Sequence, residues 1–178
     1  FEESDENQGH FDAEGNSVQK IFLKAPLSFK YISSGFTTKP RYVSQLLGWT
    51  NSHTAIDYAA SSGTPVRSVG DGSVVFSGWD GPYGNKVSIR HNETYTTNYA
   101  HLSKINVTRG QRVRQGDIIG LVGSTGFSSG PHLHYELVKR GTKINPLTEE
   151  LPPGEAISEE SKTRYFSHIK QYQDQLDI

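Results

Sequence analysis

From Tyr42 to Leu147 the apolar positions come in short runs rather than at helical spacing. Ser73–Trp79, Lys86–His91, Tyr95–His101, Asp117–Val122 and His132–Lys139 are runs rich in Val, Ile, Tyr and Leu, and each predicts a β-strand. Gly63-Thr-Pro-Val66 and Gly70-Asp-Gly72 are turn signals, and no stretch of about ten residues there carries a helical period. The pattern therefore predicts a mainly β core of short strands and tight turns. Upstream, Val18–Phe36 alternates weakly around Pro26 and predicts short extended pieces. Beyond Pro152-Pro153 the period changes. Ser158 is placed to cap a helix with Glu159 and Glu160 in its first turn, and Tyr165, Ile169, Tyr172 and Leu176 recur at spacings of four, three and four. Four parts are expected: a flexible acidic arm or remnant of an upstream domain (1–17), a lead-in packing on the core (18–49), the β domain (50–147), and a linker with an amphipathic helix (148–178).

Composition narrows the chemistry. The 178 residues include no Cys, which excludes disulfide scaffolds and every thiolate site. No apolar run approaches the ~20 residues of a membrane span, and the opening Phe1 in place of Met is expected of a piece of a longer protein. The net charge of −1 hides an uneven distribution: residues 1–14 carry six acids and no base, 15–147 carry 15 bases against 6 acids, and 148–178 carry 3 bases against 7 acids. A basic centre between acidic ends suits an anionic partner.

Histidines supply the candidate chemistry. His132 and His134 lie two apart in a predicted strand, so both point to one face about 7 Å apart, with Leu133 and Tyr135 facing the core. Alone, such a pair is more often two exposed edge-strand histidines. His53 and Asp57 would stand about 13 Å apart in extended chain and can share a cation only if the segment bends. His101 ends another strand. Together, three imidazoles and a carboxylate in a cysteine-free chain match what Zn²⁺ accepts, with the remaining histidines free to move protons and stabilise an oxyanion.

Gly126-Phe-Ser128-Ser-Gly130 matches the nucleophile-elbow pattern, but that elbow needs a helix after it, and here Pro131 and a strand follow. The segment is expected to be a Gly-rich loop beside the site. No phosphate-binding or dinucleotide fingerprint occurs, and the bases of Arg109, Arg112 and Arg114 lack interleaved aromatics, so no nucleic-acid partner is expected.

The motifs His53-x-x-x-Asp57, Gly63-Thr-Pro-Val66, Asp71-Gly72-x-Val74, Tyr83-Gly-Asn-x-Val87, Tyr99-x-His101-Leu-Ser103 and Gly123-x-x-Gly-x-Ser-x-Gly-Pro-His-Leu-His-Tyr-Glu136 resemble, in order, those of the lysostaphin-type (LytM-domain) zinc metallopeptidases. The resemblance spans about residues 50–147 and implies a compact antiparallel β fold with one zinc ion in a groove. It implies His53, Asp57 and His134 as zinc ligands, His132 as general base or proton shuttle, His101 as an oxyanion stabiliser and Asn85 as a substrate-side residue. The Lys24-Ala-Pro-Leu…Ile32-Ser-Ser stretch further resembles MepM-like murein endopeptidases of Gram-negative bacteria, which implies a periplasmic or envelope enzyme cutting D-alanyl–diaminopimelate cross-links of peptidoglycan. Ala55, Ala59-Ala60-Ser61 and the stretch Thr37–Thr50 depart from the family pattern. The contrasting expectation is a LytM module that regulates another hydrolase without catalysis. A third is an enzyme masked by its acidic ends, an upstream domain or a regulatory protein.

Overall fold

The computed structural model describes residues 12, 14–15, 21–44, 48–50, 52–151, 153–154 and 157–176, and most of the acidic arm lies outside them. The chain divides into two compact units, Leu23–Glu149 on one hand and Phe1–Phe22 with Glu150–Ile178 on the other.

The larger unit is built of β-strands joined antiparallel. Its strands are β1 (Tyr31–Ser34), β2 (Arg41–Ser44), β3 (Gly48–Thr50), β4 (Ile56–Ala59), β5 (Pro65–Arg67), β6 (Gly72–Trp79), β7 (Asn85–Arg90), β8 (Tyr95–Ile105), β9 (Arg112–Val113), β10 (Ile118–Val122), β11 (His132–Lys139) and β12 (Thr142–Ile144). The main sheet runs β1-β4-β11-β8-β7-β6-β9, with β10 bridging β8 to β5 and β12 flanking β11. β2 and β3 pair separately. Between β6 and β7 the chain makes a 3-10 turn, Gly81–Tyr83.

Strand alternation places the core. On β11, Leu133, Tyr135 and Leu137 are buried on one face, as the sequence pattern predicts. The rings of Tyr99 and Tyr135 approach to 5.5 Å and those of Tyr58 and Tyr135 to 6.2 Å. Tyr99 stays polar at its tip, accepting from the Val69 N–H at 3.1 Å and the Thr97 hydroxyl at 3.0 Å. Burial pushes the phenols of Tyr58 and Tyr99 up to about 12. The opposite face of β4, β8 and β11 carries Asp57, Asn98, His132, His134 and Glu136.

In the smaller unit the helix α1 (Glu159–Leu176) starts where the sequence predicts. The Ser158 hydroxyl accepts from the Ser161 N–H at 3.3 Å, satisfying one of the open donors of the first turn. Tyr165 is buried and donates to the Asp12 carbonyl at 2.9 Å. No helix among the described residues is long and apolar enough to cross a membrane.

Candidate active site

β4 and β11 set the first contact. Their register puts Asp57 directly opposite His134, on one face of the sheet, and His134 Nδ1 lies 3.0 Å from Asp57 Oδ1. His53 reaches the same carboxylate from outside the strand. It forms an isolated bridge with Thr37, and β4 begins only at Ile56. The intervening Thr54-Ala55 leaves extended geometry, and that bend brings His53 Nε2 to 3.1 Å from Asp57 Oδ2. The condition set by the sequence, that the segment must bend, is met.

His132 stands on the same face, two residues before His134, with Nε2 4.0 Å from Asp57 Oδ1. His101 arrives by a different device. Alternation along β8 would send it to the core face with Tyr95, Thr97 and Tyr99. However, Val87 pairs with Tyr99 while Asn85 pairs with Leu102, so β8 holds an extra residue, and His101 adopts a φ of 61°. This bulge turns the imidazole to the site face. Its ring centroid lies 4.8 Å from that of His132 and 5.6 Å from that of His134.

Backbone carbonyls orient three of these rings. His53 Nδ1 meets Gly35 O at 3.0 Å, His101 Nδ1 meets Thr125 O at 2.8 Å, and His132 Nδ1 meets Gly130 O at 2.8 Å. A carbonyl can only accept, so each Nδ1 carries the proton and each neutral ring offers an Nε2 lone pair. His134 is the exception, with Nδ1 facing Asp57 and Nε2 3.1 Å from Glu136 Oε1.

The charges follow from these contacts. Burial alone would raise the Asp57 carboxyl, but the hydrogen bonds from His134 and His53 hold it well below the usual carboxylate range. Burial works against protonated His134 too, yet its bonds to Asp57 and Glu136 raise it above an ordinary histidine. Burial lowers His101, and the neighbouring His132 and His134 add to the effect.

Asn85 sits at the end of β7, below the bulge. Its side-chain amide donates to Leu102 O at 3.0 Å, and its N–H donates to Thr125 Oγ1 at 3.0 Å. The loop 123–130 lies beside the site as the sequence predicts. Ser128 donates to Gly130 O at 2.9 Å, and a strand rather than a helix follows, so no nucleophile elbow forms. Tyr83, Asn98, Glu136 and Lys143 also line this face; Tyr83 and Glu136 lie within the quoted motifs, but none was assigned a role by sequence reasoning. The readable signal was the two-residue spacing from His134 to Glu136 on a strand.

Among the described residues, His53, Asp57 and His134 each offer a ligand atom within 4.8 Å of the others. Two imidazoles and a carboxylate form a donor set that suits a divalent transition metal. Such a donor set is one that a metal-dependent hydrolase can use, and the comparisons give the family. The model of peptidase family M23 matches residues 51–146, and the chain belongs to this family. It is 40% identical over 174 residues to the peptidoglycan DD-endopeptidase ShyC of Vibrio cholerae, covering 97% of this chain and 40% of that protein. It is 42% identical over 167 residues to the DD-carboxypeptidase/endopeptidase Mpg of Neisseria meningitidis, covering 93% of this chain and 37% of that protein. The chain thus spans about two fifths of the length of these curated relatives. Among solved structures, a zinc-containing peptidase from Vibrio cholerae superposes with a TM-score of 0.70 at 38% identity, over 83% of this chain and 45% of that one. The catalytic domain of lysostaphin from Staphylococcus simulans gives 0.58 at 32% identity, over 66% and 89%.

Proposed function

We propose that this chain is the catalytic part of a zinc-dependent endopeptidase that hydrolyses D-alanyl–diaminopimelate cross-links of peptidoglycan in the bacterial envelope. The observation that carries the reading is one carboxylate, Asp57, bracketed by His53 at 3.1 Å and His134 at 3.0 Å, with His132 beside it. His53 through Nε2, Asp57, and His134 through Nδ1 would hold the ion. When bound, zinc supplies a Lewis acid that polarises a carbonyl and brings the pKa of a coordinated water to about 7.

The chain's own residues do the rest. His132 is held by Gly130 O with its Nε2 lone pair available, so it takes a proton from the attacking water and passes it to the leaving amine. His101, with its Nδ1–H committed to Thr125 O, turns Nε2 to the site and serves the oxyanion once that nitrogen has taken up a proton. Asn85 fixes the strand end beneath His101 through its bonds to Leu102 O and Thr125 Oγ1 and serves as a substrate-side residue of the groove. The excess of bases over residues 15–147 suits a polymer bearing free carboxylates. The relatives named as DD-endopeptidases support the choice of bond. The presence of every ligand and both further histidines argues against a module that only regulates another hydrolase.

Mass spectrometry of products from defined murein dimers tests this. The expected result is cleavage at D-Ala–diaminopimelate, abolished by chelation and by His132→Ala. Failure of the zinc-loaded protein to release fragments from any murein chemotype would overturn it.

A further inference from the structure

Glu136 is a buried carboxylate that the proposed reaction does not use. Its residue is only 1% exposed, on the face of β11 that bears the histidines. An ion in such a place is costly unless it is fully paired, and here it is. Oε1 accepts from Tyr83 OH at 3.1 Å and from Lys143 Nζ at 2.6 Å, and Oε2 accepts from Asn98 Nδ2 at 2.7 Å. The fold explains the cluster. Asn98 on β8 pairs directly with Glu136, and β12 runs beside β11 so that Lys143 lies opposite Val138, two residues on. The remaining contact is His134 Nε2, 3.1 Å from Oε1.

We propose that Glu136 is a positioning residue for the metal centre. Its carboxylate holds the Nε2–H of His134 and so fixes the one ring that must present Nδ1, not Nε2, beside Asp57. The inference rests on the reading of His53, Asp57 and His134 as metal ligands. The other three histidines have Nδ1 tied to carbonyls and offer Nε2. His134 instead lies between two carboxylates, Asp57 at Nδ1 and Glu136 at Nε2; with Glu136 holding the Nε2–H, Nδ1 is the nitrogen left for a cation shared with Asp57. A charged acceptor also makes the imidazole a better donor to a cation than a carbonyl would. Glu136 is not itself a member of the ligand group, and its burial keeps it from substrate.

Two readouts test this on Glu136→Gln. Zinc affinity is measured by competition with a chromogenic chelator, and the nitrogen of His134 that carries the proton is read from ¹⁵N imidazole shifts of the zinc-loaded protein. The expected result is zinc binding weakened about 10- to 100-fold, with His134 no longer confined to the Nε2–H form. Asn98→Ala, which removes one anchor and keeps the charge, should shift both in the same direction by less, and guards against loss of fold in the first variant. Wild-type affinity together with an unchanged tautomer in both variants would overturn the proposal. His134→Ala serves as the reference. If it binds zinc as well as the parent chain does, the ligand assignment falls, and an unchanged His134 tautomer in Glu136→Gln would then separately refute the role of Glu136.

Discussion

Replacing the buried Gly84 by alanine should damage the protein sharply. Gly84 ends the 3-10 turn at φ 64° and ψ −139°, a region close to one that glycine alone occupies readily. A methyl group there would lie 2.4 Å from the Thr125 carbonyl carbon, 2.5 Å from Thr125 Oγ1 and 2.6 Å from Gly126 N. The loop cannot simply retreat, because the Phe127 N–H donates to Pro82 O at 2.8 Å. Backbone strain of about 1–3 kcal/mol and overpacking of about 1–3 kcal/mol combine to between about 2 and 6 kcal/mol. With a urea dependence of about 2 kcal/mol per molar, the middle of the usual range, the unfolding midpoint should fall by roughly 1–3 M. The measurement is urea unfolding of the metal-free protein followed by tryptophan fluorescence. Gly110→Ala is the control: its φ is 90°, but nothing lies within 4 Å of the added carbon, so it carries the strain without the clash. A midpoint for Gly84→Ala equal to that of Gly110→Ala would refute the close-packing argument. Because Thr125 O also holds His101, turnover of Gly84→Ala should fall further than its folded fraction does.

Other outcomes follow from the same geometry. His132→Gln should keep parental zinc content by elemental analysis while losing murein hydrolysis, whereas His53→Ala should lose the metal. Leu133→Ala removes a fully buried side chain from the core face of β11 and should cost about 2–5 kcal/mol by denaturant titration. His91 is lowered below an ordinary histidine, chiefly by burial and against the Asp71 carbonyl that it contacts at 2.7 Å. A lowered folded value means stability is present above the unfolded value of about 6.5 and is lost as pH falls below it. Thermal unfolding of the metal-free protein should show that acid limb, and His91→Gln should flatten it.

Much of the molecule was legible in the pattern of residues. The strand run His132–Lys139 has the same bounds in sequence and structure, because period-two alternation with Leu133, Tyr135 and Leu137 inward is a local property. The same alternation put His132 and His134 on one face. The helix start at Glu159 was equally local, set by Ser158. β8 was not fully legible: it extends to Ile105, past the predicted end at His101, because pairing with β10 sustains strand geometry over polar residues that propensity would have released.

The sequence by itself determined the β class, the faces of β11, the helix cap and the set of imidazole and carboxylate groups, all of which depend on neighbours a few residues apart. Tertiary structure alone decided how those groups meet. Strict alternation assigns His101 to the core, and only the bulge opposite β7 brings it to the site. His53 reaches Asp57 only because the chain bends before β4. Which ring nitrogen His53 and His101 present depends on carbonyls brought from elsewhere in the fold, Gly35 for His53 and Thr125 for His101. Such contacts are fixed by strand pairing between distant segments, and no local pattern encodes them.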